Sequence, residues 1–539
     1  MISSRFKISF PFPPFAVLCL LLSTAGLRAG PLDGGTFKPV IDETQGETLF
    51  AFDSVSIPFT RSLELVMQQP EKYPGNPIVA RGPKGEPDHW GVQFYGSIIR
   101  EQGKFRLWYA AFDGARGEST TPNSAWWRPA YAESADGVQW VKPKLGLVEY
   151  RGNKDNNLLS VDPAVGILNL KVLHEPTDPD PSRQYKMIGH VFWMKGKTRH
   201  GTLVPYVSAD GLTWKSTIDF KPVDSEIMIN DLILPPMHFE PAGGFYKWDG
   251  MYYSSGQSPY DGTRPTHSRV VRSFRSRDLI TWSQTAHMSF LHPEQLKVLP
   301  AGNDGKQTHE GVSVWHRGNV LVGLTGIWNG AKTWPNVTID LGLVISNDGL
   351  TFREPTNDPA FISRGPDGTW DQGGLMQGQG FENVGDKTYI YYGAADPRTW
   401  TPSDKPIPPR GGVGLVTLPR DRFGALRVRD YGEGASEFVT NDIPVKSKAA
   451  RRFFLNADGL AADALLKVEL LSHDEQPLEG YSGADAALVT QSGFQIPVLW
   501  QGNEAVNGLP ERFRVKVTFE GVRKSDIRFS ALYVQDTAE

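Results

Sequence analysis

The sequence predicts an all-β chain, a five-bladed β-propeller followed by a C-terminal β-sandwich. Three observations lead there. A serine, an aspartate two residues on and an aromatic four residues later recur as Ser134-Ala135-Asp136-Gly137-Val138-Gln139-Trp140, Ser208-Ala209-Asp210-Gly211-Leu212-Thr213-Trp214, Ser276-Arg277-Asp278-Leu279-Ile280-Thr281-Trp282 and Ser346-Asn347-Asp348-Gly349-Leu350-Thr351-Phe352. A weaker fifth copy is Arg420-Asp421-Arg422-Phe423, and the aspartates stand 74, 68, 70 and 73 residues apart, the near-constant period of a repeated unit. Between the turns, β-branched and aromatic runs bounded by Gly and Asp read as strands.

In chain order, residues 1–29 read as a secretory signal: Arg5 and Lys7, the apolar run Phe15 to Leu22, then Leu27-Arg28-Ala29 before Gly30. The run is too short to span a bilayer, so export to periplasm or medium is expected, with no membrane span in the mature chain. The single cysteine, Cys19, lies inside this segment, and a chain starting at Gly30 would have no disulfide, thiolate metal site or cysteine nucleophile. Residues 30–88 hold extended candidates such as Thr48-Leu49-Phe50-Ala51-Phe52 and the Pro-rich Tyr73-Pro74-Gly75-Asn76-Pro77, a lead-in able to supply a strand that closes a ring.

From about residue 90 the unit runs strand, Gly turn, strand, loop, strand, Asp turn, aromatic strand. Its second strand is Lys104-Phe105-Arg106-Leu107-Trp108-Tyr109 in the first copy and Tyr389-Ile390-Tyr391-Tyr392 in the last. Five antiparallel units arranged radially make the propeller, expected over 45–430. After Tyr431-Gly432-Glu433-Gly434 the period stops, and strand patterns such as Leu465 to Leu471, Phe513 to Phe519 and Ile527 to Tyr533 predict the sandwich over 435–539, as a buttress or a glycan-binding appendage. In each Asp turn the carboxylate accepts nearby N–H groups and the aromatic packs back beneath it, a structural role at an outer edge.

With 539 residues, net charge −4 and pI near 6.3, the chain lacks the basic footprint of nucleic-acid binding. Aromatics at 11% with 56 Gly suit many short strands and rings free to meet a ligand.

The Asp-Gly turns, the five-unit count and the trailing sandwich resemble the five-bladed propeller glycoside hydrolases of families 32, 43 and 68. The nearest likeness is to secreted bacterial proteins with a family-32-like amino-terminal domain. Tyr131 to Gly137, Lys142 to Val148, Gly414 to Phe423 and Val468-Glu469-Leu470-Leu471 carry it. The β-fructosidase motifs Trp-Met-Asn-Asp-Pro-Asn-Gly, Arg-Asp-Pro and Glu-Cys are absent, so invertase chemistry is not implied.

In a propeller the residues around the start of each inner strand face a shared funnel, and glycoside hydrolysis needs two carboxyl groups there, one protonated and one ionised. The catalytic candidates are therefore Glu310 in His309-Glu310-Gly311-Val312, Glu240 in His238-Phe239-Glu240-Pro241, Asp88 in Pro87-Asp88-His89-Trp90 and Asp371 in Trp370-Asp371-Gln372. Glu310 also resembles the family 43 general acid, with Val312 where that motif has proline. Candidate sugar-binding residues are His89, Trp90, Lys171, His238, His309 and Gln379; Trp126, Trp127 and Trp328 are further stacking candidates. No ligand spacing supports a metal, and no cofactor is expected.

The expected function is an exported, exo-acting glycoside hydrolase on an oligo- or polysaccharide, with a noncatalytic glycan-binding propeller as the alternative. A sialidase-like enzyme ranks below both, because arginines are not seen at several blade entrances.

Overall fold

The structure, a computed structural model, describes residues 46–112, 127–223, 226–261, 268–297, 300, 302, 304–332, 336–357, 360–395, 410–429 and 434–537. The expected signal segment and Trp126 lie outside them. Among the described residues no helix is long and apolar enough to cross a membrane.

The chain is all-β, in antiparallel sheets laid down in order. The first is Gly91–Glu101, Lys104–Phe112, Trp127–Ser134 and Trp140–Val141; the second is Leu170–His174, Tyr185–Lys195, Thr198–Ser208 and Thr213–Ser216, flanked by Ser160–Asp162. Glu240–Trp248, Met251–Pro259, Arg269–Ser276 and His287–Phe290 form the third. The fourth, Lys306–His316, Leu321–Asn329 and Thr338–Ser346, touches the fifth through one parallel pairing, Ile339 with Gly374. That fifth unit contains Gly374–Met376, Phe381–Val384, Lys387–Ala395 and Val413–Pro419. The first strands of the first four sheets pack on one another in turn, and Gly91–Glu101 of the first also packs on the fifth.

Each Asp turn is tied internally as its sequence predicts. Ser208 Oγ accepts the N–H of Asp210 and Gly211 at 3.2 and 2.9 Å, while Asp210 Oδ1 accepts those of Leu212 and Thr213 at 2.7 and 2.9 Å. Trp214, Trp282 and Phe352 are buried beneath their turns. The turns also reach sideways. Trp108 Nε1 of the first sheet donates to Gly211 O at 2.7 Å, Thr217 Oγ1 of the second to Leu279 O at 2.7 Å, and Tyr246 OH of the third to Gly349 O at 2.9 Å. Tyr391 OH of the fifth donates to Gly137 O of the first at 3.0 Å, so the series returns on itself.

The fifth repeat departs from this pattern. Asp421 lacks the glycine and is fully buried at φ 57, gripped by Arg317 of the fourth sheet, whose Nη2 lies 2.9 Å from Oδ2. Asn383 Nδ2 donates at 3.1 Å and Tyr533 OH at 2.7 Å, the latter from the C-terminal region. The weaker fifth marker is thus a buried junction.

Two further sheets face each other across a core that includes Leu455, Val468, Val517, Phe519 and Phe529. Their strands come from both ends of the chain: Glu47–Phe50 and Leu63–Met67 join Arg451–Asp458 and Arg528–Asp536, while Phe59–Arg61 joins Ser436–Val439, Arg512–Glu520 and Leu465–Ser472. The repeat region therefore does not begin at residue 45, because 47–67 complete the C-terminal sheets. From the lead-in, Glu71–Lys72 pairs with the fifth sheet at Val416 and Thr417, and Val79 bridges to Val413 of the same strand. Phe50, Phe52, Phe454 and Tyr533 share one core with Val322, Ile390 and Phe423, which fastens the C-terminal sheets to the fourth and fifth.

Removing one partner of a buried ion pair leaves an uncompensated charge, so Arg317→Met should lower stability in urea by about 3–5 kcal/mol. Burial pushes the carboxyls of Asp136, Asp210, Asp278, Asp348 and Asp421 up, but turn N–H donors, and Arg317 for Asp421, outweigh it and hold all five below their ordinary value. A depressed folded value gives stability that is complete above the unfolded value, near 3.9, and is lost as pH falls through the folded ones. Urea midpoints should therefore fall progressively below about pH 4.

Candidate functional site

Three first strands carry a register break at the same end of the molecule: between Gln93 and Ser97, between Glu240 and Gly244, and between His309 and Val312. Bulges bend a strand and re-aim its side chains, and they concentrate beside active sites. Here they place Tyr95, Glu240 and Glu310 together. Glycine makes the approach possible: a Cβ on Gly243 would stand 2.7 Å from Glu310 O, and one on Gly311, at φ +85, 2.8 Å from Gly256 Cα. Glu310 itself is left-handed at φ 58, a strained conformation for a residue with a side chain.

Glu240 and Glu310 face each other across Gln257. Its Nε2 donates to Glu240 Oε2 and lies 3.5 Å from Glu310 Oε1, and its Oε1 accepts the Glu310 N–H at 3.0 Å. Two carboxylates bridged by one nitrogen are at most two hydrogen-bond lengths apart, roughly 6 Å. His238 Nε2 is 3.0 Å from Glu240 Oε1. Tyr95 OH is 3.0 Å from His309 Nε2, and Gln377 Nε2 holds the bulge by donating to Gly311 O at 2.9 Å.

Burial lowers the His309 imidazole to about 3, with the Arg269 charge acting the same way against Glu240. His309 is therefore neutral and can accept from Tyr95. The Tyr95 phenol is pushed well up by burial and by the charges of Glu310 and Glu240, so it stays protonated. Both groups offer neutral hydrogen bonding beside a pair of acids.

Of the residues singled out from sequence, Glu240, Glu310, His238 and His309 come together, and the Trp328 ring lies tilted against His309 at 5.1 Å. Asp88 and Asp371 join a different pattern, matched in the first and fifth sheets. Asp88 accepts from Tyr109 OH at 2.7 Å, Lys142 Nζ at 2.5 Å and Gly82 N at 3.0 Å; Asp371 accepts from Tyr392 OH at 3.0 Å, Lys72 Nζ at 2.5 Å and Thr369 Oγ1 at 3.1 Å. Asp371 also lines a groove of about 460 Å³ with Trp370, Tyr73 and Arg364.

Lys171 is wholly buried and donates to Gly96 O at 3.3 Å and Gln377 O at 3.0 Å, out of reach of a sugar. Desolvation holds its amine well below the usual lysine range, against the pull of Glu310. Gln379 spends its amide on the Phe245 backbone, at 3.0 and 2.8 Å, and so braces the first strand of the third sheet. His89 makes a local bond to Glu86 O at 2.9 Å, and Trp90 packs with Phe112, Trp127 and Phe192.

Sequence reasoning missed Tyr95, Gln257 and Gln377. The available signal was glycine: Tyr95-Gly96, Gly256-Gln257 and Glu310-Gly311 each set a side chain of this cluster beside a residue that lets another backbone close in, and Gln377-Gly378 sets one beside a residue that admits the Phe94 ring. It also missed Arg128, Arg199 and Arg269, at or near the starts of the third strands of three sheets. They lie over Tyr150, Phe192 and Trp328 at 5.3, 4.0 and 3.9 Å, and Arg199 is also 2.8 Å from Glu226. Among the described residues no group of three or more His, Cys, Asp or Glu is placed to hold a metal.

No family model matches the chain, and no curated protein does. Among solved structures it is similar to a glycosyl hydrolase from Bacteroides ovatus, at 17% identity and TM-score 0.36 over 65% of this chain and 94% of that one. An N-acetylgalactosamine deacetylase from F. plautii in complex with blood group B trisaccharide gives 15%, 0.40, 67% and 97%. A structure from the GH130 family of mannoside phosphorylases, described as containing glycoside hydrolases that target β-1,2 mannosidic linkages, gives 17%, 0.37, 65% and 94%. Likeness at this level carries no residue from one chain to another.

Adding one methyl where three backbones meet should displace the Glu310 bulge. Gly243→Ala is expected to cost about 1–3 kcal/mol in urea unfolding, the usual range for overpacking. Wild-type stability in that variant would contradict the close approach.

Proposed function

We propose that the chain is an exported glycoside hydrolase built on a five-bladed β-propeller, with Glu240 and Glu310 as its paired carboxyls and a chain-end glycan as substrate. The observation that carries the reading is the single amide nitrogen of Gln257 between two buried carboxylates. Buried acids on opposing strands at the meeting point of several sheets are what general acid and nucleophilic chemistry require. Their separation fits the closer of the two spacings used by glycosidases, about 5–5.5 Å, rather than the roughly 6.5–9.5 Å that leaves room for a water. The reading therefore includes retention of anomeric configuration. Asp88 and Asp371 act in it as structural locks, each tying a tyrosine to a lysine.

The test is hydrolysis of a broad panel of 4-nitrophenyl glycosides and oligosaccharides. Turnover is expected for at least one, with Glu240→Gln and Glu310→Gln each lowering it by about 10²-fold or more, and with the first-formed product keeping its anomeric configuration by proton NMR. Full activity in both variants would sink the assignment. Binding without turnover would support the noncatalytic reading.

A further inference from the structure

Glu240 is met by two donors whose orientations are settled by backbone N–H groups. The Gly201 N–H donates to His238 Nδ1 at 2.9 Å, so a neutral ring carries its proton on Nε2, the atom 3.0 Å from Glu240 Oε1. The Glu310 N–H donates to Gln257 Oε1 at 3.0 Å, which turns the amide NH₂ toward Glu240 Oε2. Each Glu240 oxygen thus accepts from a different, pre-oriented donor. Hydrogen bonds to a carboxylate favour its ionised form.

We propose that His238 and Gln257 are positioning residues that hold Glu240 as a carboxylate, making Glu240 the nucleophile and Glu310 the proton donor. This rests on the Glu240–Glu310 reading above. The Glu310 carboxyl gives its proton to the glycosidic oxygen as the C1–O bond breaks, and Glu240 forms an ester bond to C1. Water then attacks C1, Glu310 takes a proton from it, and the C1–Glu240 bond breaks. One bond has been cleaved with one water consumed, and both carboxyls are restored.

The groups facing Glu240 fit this division. His238 comes from its own segment, with the His200 ring 5.9 Å from His238; Gln257 comes from the neighbouring strand. Tyr95, from the first sheet, and His309, from the fourth, stay uncharged, which leaves Glu310 as the acid whose charge changes during the cycle.

The experiment is a pH titration of protein labelled with carbon-13 at the glutamate side-chain carboxyl, followed by NMR, with Glu240→Gln and Glu310→Gln assigning the two signals. In the wild type Glu240 should lose its charge at lower pH than Glu310. His238→Leu should move the Glu240 titration up by about one pH unit, and His238→Gln, which keeps an N–H donor, should bring it back. Gln257→Met serves in place of His238→Leu if that variant fails to fold, and should move the titration the same way. Glu310 titrating below Glu240 in the wild type would overturn the proposal, as would an unmoved Glu240 signal in a folded His238→Leu or Gln257→Met variant. The readout needs no substrate, so a protein with the predicted order that hydrolyses nothing on the glycoside panel would refute the hydrolase reading alone.

Discussion

A backbone carbonyl in an Asp turn, accepting a hydrogen bond from the sheet before it, is the contact on which the arrangement of this chain depends. Trp108 to Gly211, Thr217 to Leu279 and Tyr246 to Gly349 repeat it sheet by sheet; Arg317 to Asp421 replaces it with an ion pair, and Tyr391 to Gly137 joins the last sheet to the first. Each turn is first tied to itself by its serine and aspartate, so the carbonyl it presents is already fixed in direction. Buried donors such as the indole of Trp108 need a partner, and an unmet one would cost about 1–3 kcal/mol. Neighbouring sheets are thus held together at their Asp turns, while the first strands of the first four press on one another.

That pressure makes the site. Where the first strands meet there is no room for regular pleating, and the chain answers with bulges and with glycines at 96, 243, 256 and 311. Two acids, a phenol and two imidazoles arrive in one small volume, and Glu310 is held in a left-handed conformation that its surroundings must enforce. The enforcement is visible: Gln257 takes the Glu310 N–H, and Gln377 takes the Gly311 carbonyl. Buried Lys171 stitches the first, second and fifth sheets beneath them.

The all-β class and the repeated turns were legible in the sequence because their signals are local and recur. Ser-x-Asp and a following aromatic report one turn, and a regular period reports the unit. Glu240 and Glu310 were singled out as acids expected around the starts of first strands, and the structure sets both within such strands, at the register breaks. Asp88 and Asp371 share that placement, but their orientation is decided by Lys142 and Lys72, which lie 54 and 299 residues away in the chain. Lys171 and Gln379 misled for the same reason: a polar residue near the start of a first strand looks available until the neighbouring backbone that consumes its hydrogen bonds is known. The strands at 47–67 looked like part of the repeat region, since alternating apolar residues do not say which sheet they will join.

The central claim is that a glycan is cleaved between Glu240 and Glu310. The most direct measurement is a crystal structure of the Glu310→Gln variant with the oligosaccharide that the wild type hydrolyses best. The account predicts that the scissile bond lies between the two side chains, with C1 facing Glu240. Glycan density confined to the groove beside Trp370 and Asp371, or elsewhere on the surface with the Gln257 bridge untouched, would contradict it.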